Sequence, residues 1–236
     1  MPGILIPFYA YPKLWESENE WVRLASLARR YPAVPITAIV NPCNGPGRVV
    51  DPYYLQGIAI LRDAGVRLAG YVSTAHASRS PDDVRADIDA YNWLYSFADI
   101  RGSGVFFDEM LCSLESMGYY NALAGRARVA GLYRVIGNPG ALPSPPCVGD
   151  LDLLNVYENE GYPPLDSLSP LRTNRAYGRK EVYSLLAWGC ANLSSDWITQ
   201  ASVCVGHLYL TDRTGVIWDA LPRYFEEMLR LVDAVR

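Results

Sequence analysis

Val105-Phe106-Phe107-Asp108-Glu109-Met110 is an apolar strand that runs straight into two adjacent carboxylates. Successive side chains of a strand point to opposite faces, so Asp108 and Glu109 can share a site only if the backbone turns between them. Carboxylates at the end of a buried strand belong where water or a ligand is waiting, because an ionised group is costly to bury unpaired. The stretch therefore reads as the floor of an active site. Leu153-Leu154-Asn155-Val156-Tyr157-Glu158-Asn159 is a second strand with an acidic end, and the simplest path of the chain brings the two ends together.

Working outward, the same strand-and-cover pattern recurs along the whole chain. Residues 3–11 (GILIPFYAY), 35–41 (PITAIVN), 67–74 (RLAGYVST), 133–138 (YRVIGN), 181–188 (EVYSLLAW) and 207–211 (HLYLT) are short apolar runs rich in β-branched and aromatic residues. Helical spacing of apolar positions covers residues 15–30 and 221–235, and residues 117–130 are helical by composition. Asp51-Pro52 and Ser80-Pro81-Asp82-Asp83 carry cap and first-turn chemistry for two more helices, the first closed by Gly65. Residues 197–205 form another helical segment, and the proline-rich stretch after the sixth strand is a long loop with one short helix. Eight strands alternating with seven or eight helices imply a parallel sheet. In 236 residues that alternation closes into a single-domain (β/α)8 TIM barrel spanning residues 1–236. No Gly-x-Gly-x-x-Gly follows the first strand, which argues against a dinucleotide fold.

Composition narrows the chemistry. A net charge of -4 with 19% charged residues lacks the basic footprint of a nucleic-acid binder. No stretch reaches the ~20 apolar residues of a membrane span, and no basic region precedes the first strand, so the chain as given carries no export signal. Cys43, Cys112, Cys147, Cys190 and Cys204 form no metal-ligand spacing. Reduced buried thiols are the plain reading of them, and one disulfide between loop cysteines is the alternative. The rings are 17 Tyr and 6 Trp against 5 Phe, so most carry a hydrogen-bonding handle suited to sugar stacking or to tying loops to a rim.

In a barrel of this kind the catalytic groups stand at the carboxyl ends of the strands. The sequence places there Tyr9, Tyr11, Asn41, Asn44, Tyr71, His76, Asp108, Glu109, Asn138, Tyr157, Glu158, Trp188 and Asp212. This set holds carboxylates, amides and aromatics but no lysine, which disfavours Schiff-base chemistry. With only His76 and His207 in the chain, and His207 at the wrong end of its strand, no histidine metal cluster forms, and neither metal nor cofactor is expected. Two or three carboxylates without either suit glycoside cleavage, in which one acid protonates the leaving oxygen and another attacks or stabilises the sugar cation. Asp108 is assigned as nucleophile or charge stabiliser, Glu158 as general acid/base and Glu109 as a positioning residue. The alternative for these acids is helix capping or pairing with rim arginines.

The segments GILIPFYAYP, PITAIVNPCNGPG, GYVST, GVFFDEM, VIGNPG and VYEN, in this order between Gly3 and Trp188, resemble the spherulin-4 family. That resemblance implies a (β/α)8 enzyme of glycoside hydrolase family 135, an endo-α-1,4-N-acetylgalactosaminidase cutting galactosaminogalactan-like exopolysaccharide with retention. It also implies an Asp-Glu pair after the fourth strand and a later strand-end Glu as functional acids, which fall on Asp108, Glu109 and Glu158. The expected partner is thus a polysaccharide or oligosaccharide, gripped by Tyr9, Tyr11, Asn41, Asn44, Tyr71, His76, Asn138, Tyr157, Trp188 and Asp212. Members of the family are often secreted or surface-anchored. A carbohydrate-binding barrel without turnover is the competing reading.

Overall fold

The computed structural model describes residues 2–144 and 147–235. Eight parallel strands close in sequence order into one barrel, β1 (Gly3–Phe8), β2 (Ile36–Val40), β3 (Arg67–Ser73), β4 (Gly104–Asp108), β5 (Arg134–Gly137), β6 (Leu153–Glu160), β7 (Tyr183–Trp188) and β8 (His207–Leu210). The sequence expectation of a (β/α)8 barrel is met. β1 to β4 are almost wholly buried, as strands must be when helices cover one face and the barrel interior the other.

The helices are α1 (Glu20–Arg30), α2 (Pro52–Asp63), α3 (Pro81–Tyr95), α4 (Met117–Val129), α5 (Leu165–Thr173), α6 (Ser195–Ala201) and α7 (Phe225–Ala234). Two start where capping chemistry predicts: Asp51 accepts from Tyr53 N and Ser80 from Asp83 N, each with proline following at the first helical position. α1 differs from expectation. It begins at Glu20, where the Asn19 side chain accepts from Trp21 N and Val22 N, so Trp15 lies outside the helix and is 62% exposed. Trp21 takes the buried place instead, its ring tilted against Phe8 with centroids 5.1 Å apart and its Nε1 donating to Ala10 O at 2.9 Å.

The cysteines also depart from the plain reading. Cys112 and Cys147 are joined, with Cα atoms 5.8 Å apart, and so tie the loop after β4 to the loop after β5. Cys190 and Cys204 are buried thiols and Cys43 is exposed.

Candidate active site

β6 decides which acids meet. Its pairing with β7 runs Leu154 to Tyr183 and Asn155 to Ser184, then jumps to Glu158 opposite Leu186. Three steps on β6 match two on β7, so β6 carries one extra residue, a bulge. Strict alternation from the inward Asn155 would send Tyr157 into the barrel and Glu158 out; the bulge reverses both. Tyr157 is consequently spent locally, its hydroxyl facing Glu160 O at 3.2 Å and Gly161 O at 3.1 Å. Glu158 turns into the mouth, and its N–H donates to Gly140 O at 2.9 Å. Gly140 is in the left-handed region at φ 67°, directly after Asn138-Pro139, where a side chain would be strained.

At the end of β5, Asn138 stands between the two strands that supply the acids. Its Nδ2 donates to Asp108 Oδ1 at 2.7 Å and to Glu158 Oε2. Its Oδ1 accepts from Asn155 Nδ2 at 2.8 Å and from Gly140 N at 3.1 Å, and Asn155 Oδ1 in turn accepts from Ser184 Oγ at 3.2 Å. Because two donors occupy the oxygen, the amide cannot flip, and its NH2 must face both carboxylates. Asn155 is fully buried and sits inside the apolar run Leu-Leu-Asn-Val. That lone buried amide was a legible signal, though the sequence reading passed over it.

These surroundings set the protonation of the pair. Glu158 still meets solvent at its edge, but its carboxyl lies deep enough that lost hydration raises its pKa from 4.5 to about 7; the charge of Asp108 adds to the rise and the Asn138 bond opposes it. Near neutrality it holds a proton it can give away. Tyr9 and Tyr71 meet edge to face at 5.7 Å beside the acids. Burial first, and then the charge of Asp108, hold both phenols well above their ordinary pKa, so they remain donors.

Glu109 is exposed beside Asp108, where the backbone turns. It adopts a left-handed conformation at φ 52°, and Ser73 Oγ donates to its Oε2. The loop after β3 braces this turn. Residues 75–77 are all left-handed, at φ 44°, 55° and 63°; His76 N donates to Glu109 O at 2.8 Å, and Thr74 Oγ1 donates to Asp108 O at 2.9 Å. Non-glycine residues in this region cost ~1–2 kcal/mol each. Strain concentrated beside a pair of acids is characteristic of functional sites.

The remaining expected contacts divide. Trp188 lies on the same rim, edge to face with Trp218 at 6.1 Å, and Trp218 O accepts from Tyr9 N at 2.9 Å. Tyr11 leads an exposed cluster at the ends of β1 and β2 that the sequence reading did not assemble. Its ring lies 6.4 Å from Trp15 and 6.1 Å from Tyr53, which are themselves 4.9 Å apart. Other positions are structurally engaged. Asn41 Oδ1 accepts from Gly45 N at 2.8 Å to close its own loop, and Asn44 is an exposed left-handed turn residue. The His76 side chain is exposed on the strained loop. Asp212 is ion-paired to Arg223 with its side chain only 5% exposed, which leaves its carboxylate committed to the loop after β8. A cavity of about 670 Å³ does not touch these acids but lies at the opposite end of the barrel.

A parallel eight-stranded barrel whose carboxyl rim gathers acids, a bridging amide and aromatic rings is what the fold and this site define together. The chain belongs to the spherulation-specific family 4, the spherulin-4 family, matching it over residues 3–232. It is 29% identical to spherulin-4 of Physarum polycephalum over 245 residues, covering 98% of this chain and 70% of that protein. In three dimensions it is similar to Aspergillus clavatus Sph3, solved in complex with GalNAc, with a TM-score of 0.86, 22% identity, and coverage of 99% and 98% of the two chains. A more remote likeness, with a TM-score of 0.54, 11% identity and coverage of 100% and 97%, is to the active domain 2 of a Pyrococcus furiosus chitinase.

Proposed function

We propose that this barrel is a retaining glycoside hydrolase that cuts within an amino-sugar polysaccharide of the α-1,4-linked N-acetylgalactosamine type. The observation that carries the reading is the shared amide. One Nδ2 of Asn138 donates to both Asp108 and Glu158, so the two acceptor oxygens lie within about 5 Å of each other, the spacing of a nucleophile and an acid/base rather than of two groups flanking a water. Asp108 attacks the anomeric carbon while Glu158 passes its proton to the departing glycosidic oxygen. Glu158, now ionised, takes a proton from water as that water displaces Asp108 and frees the sugar. Glu109, held by Ser73, positions the turn and the sugar. The GalNAc bound to Sph3 supports the choice of sugar, and the exposed rings of Tyr11, Trp15 and Tyr53 suit the grip that an endo-acting enzyme needs beyond the cleaved unit.

The test is release of reducing ends from a polymer of α-1,4-linked N-acetylgalactosamine, with and without chelator, and with the anomer of the first product read by proton NMR. Cleavage insensitive to chelator, with α-product appearing first, is the expected result. Polymer binding without reducing ends would assign the chain to a non-catalytic carbohydrate-binding barrel. A β-anomer appearing first would overturn retention.

A further inference from the structure

The amino-terminal end of the barrel, opposite the acids, holds an excess of positive charge that nothing in the proposed chemistry uses. The cavity of about 670 Å³ there is lined by Arg62, Arg67, Arg101 and Arg134, with Asp152 the sole acid among its lining residues. Arg62 is paired with Asp63. Asp152 is already engaged, accepting from Val135 N at 2.8 Å and from Arg128 Nη2 at 3.1 Å. Among the described residues, Arg67, Arg101 and Arg134 have no acidic partner, although eleven other arginines make ion pairs. A neighbouring cavity of about 500 Å³ shares Arg67 and adds Arg29 together with Asp63, the partner of Arg62.

The fold brings the three arginines to the wall of one cavity. Arg67 opens β3 and Arg134 opens β5, while Arg101 lies on the turn before β4. The stem of Arg67 crosses that turn, its Cδ only 3.4 Å from where a side chain on Gly102 would begin. Arg134 donates from Nη2 to His207 Nε2 at 2.9 Å, which forces the imidazole proton onto Nδ1. That Nδ1–H and the Nε–H of Arg134 are both buried donors without an acceptor. Burial and the adjacent arginines hold His207 neutral, its pKa pushed down to about 3. Burial first, and then Arg67, disfavour the charge on Arg134, while the Asp152 carboxylate opposes them. Arg67 and Arg134, which repel one another, with Arg101 on the same cavity and the acceptor-less Nε–H of Arg134 beside them, are the complement of a group with several anionic oxygens.

We propose that this cavity binds a small tetrahedral oxyanion, a phosphate or sulfate group, between Arg67, Arg101 and Arg134. The site is independent of the glycosidase reading, and stands although the chain as a whole is acidic. The oxyanion enters either free or as the terminal group of a small ester.

The test is thermal unfolding and titration calorimetry with inorganic phosphate, sulfate and a hexose monophosphate, each against chloride at matched ionic strength. Wild type should bind one phosphate per chain and unfold about 3 °C higher at ten times the dissociation constant. Arg67→Gln and Arg101→Gln, at exposed or half-buried positions, should each lose most of that rise, and the double variant all of it. Binding of the hexose monophosphate as well would identify an ester-accepting site, and binding of phosphate alone a free-ion site. Sulfate and phosphate also stabilise proteins by exclusion from their surface. An equal, unsaturating rise in wild type and double variant would therefore overturn the proposal, as would the absence of a calorimetric signal with wild type. Arg67→Lys and Arg101→Lys keep the charge and should keep most of the response, which separates lost binding from lost folding.

Discussion

Replacing Glu158 with glutamine distinguishes a catalytic carboxyl from a structural one, because the two roles move stability in opposite directions. Desolvation is the largest influence on Glu158 and holds its pKa at about 7 against an ordinary 4.5, so the folded chain binds this proton more tightly than the unfolded chain. The associated stability is fully present below pH 4.5 and is lost as pH rises through about 7. Above that, the ionised side chain costs about 3 kcal/mol, at ~1.4 kcal/mol per pH unit. Glutamine never ionises, yet keeps an oxygen for the Asn138 amide. Denaturant unfolding of wild type and Glu158→Gln between about pH 4 and pH 9 is expected to give stabilities that diverge as pH rises, the variant leading by up to about 3 kcal/mol on the alkaline side. Polymer cleavage by the same variant should fall by ~10²–10⁴, the usual worth of a positioned general acid. A Glu158→Gln protein no more stable than wild type at pH 8 would refute the desolvation argument. Cleavage at the wild-type rate would refute the catalytic one.

The other expectations follow from the same geometry. Asn138→Ala removes a bond that favours ionised Glu158, so the alkaline limb of kcat/KM, set near 7 in wild type, should move to higher pH while kcat falls; an unmoved limb would detach the amide from the pair. Deleting Tyr157 removes the extra residue of β6 yet leaves Glu158 two places after the inward Asn155, still opposite Leu186, so cleavage should persist in the variant; its loss in a protein whose circular dichroism is unchanged would show that the acid's direction depends on the bulge itself. Trp15→Ala and Tyr53→Ala should each weaken binding of long oligosaccharides by about 1 kcal/mol and leave short ones unaffected, as measured by calorimetry. Cys112→Ser opens a bridge spanning 35 residues and should lower unfolding stability by about 2–4 kcal/mol, with no change on adding reductant to the variant.

What could be read from the sequence alone is what local chemistry controls. Short β-branched runs separated by capped helices set eight strands in order, and eight such units in this length close on themselves. Asp51 and Ser80 begin their helices because an oxygen before a proline satisfies a free N–H with residues that are adjacent in the chain. The placement of Asp108, Glu109 and Asn138 at strand ends follows from the same order. The tertiary structure decided the directions of side chains and the partners across strands. Alternation along β6 predicts Tyr157 inward, and only the register with β7 reveals the extra residue that turns Glu158 into the mouth instead. Asp212 is an apt site residue by position, yet Arg223, eleven residues away, claims it. Trp15 has helical spacing with its neighbours, but the cap at Asn19 leaves it outside, where it meets Tyr53 from the first turn of α2. The arginines at positions 67, 101 and 134 are scattered in the chain and converge only because parallel strands bring all their amino ends to one face. Spacing along a chain encodes what neighbours do to one another, whereas contacts between distant segments depend on register and closure, which exist only once the barrel has formed.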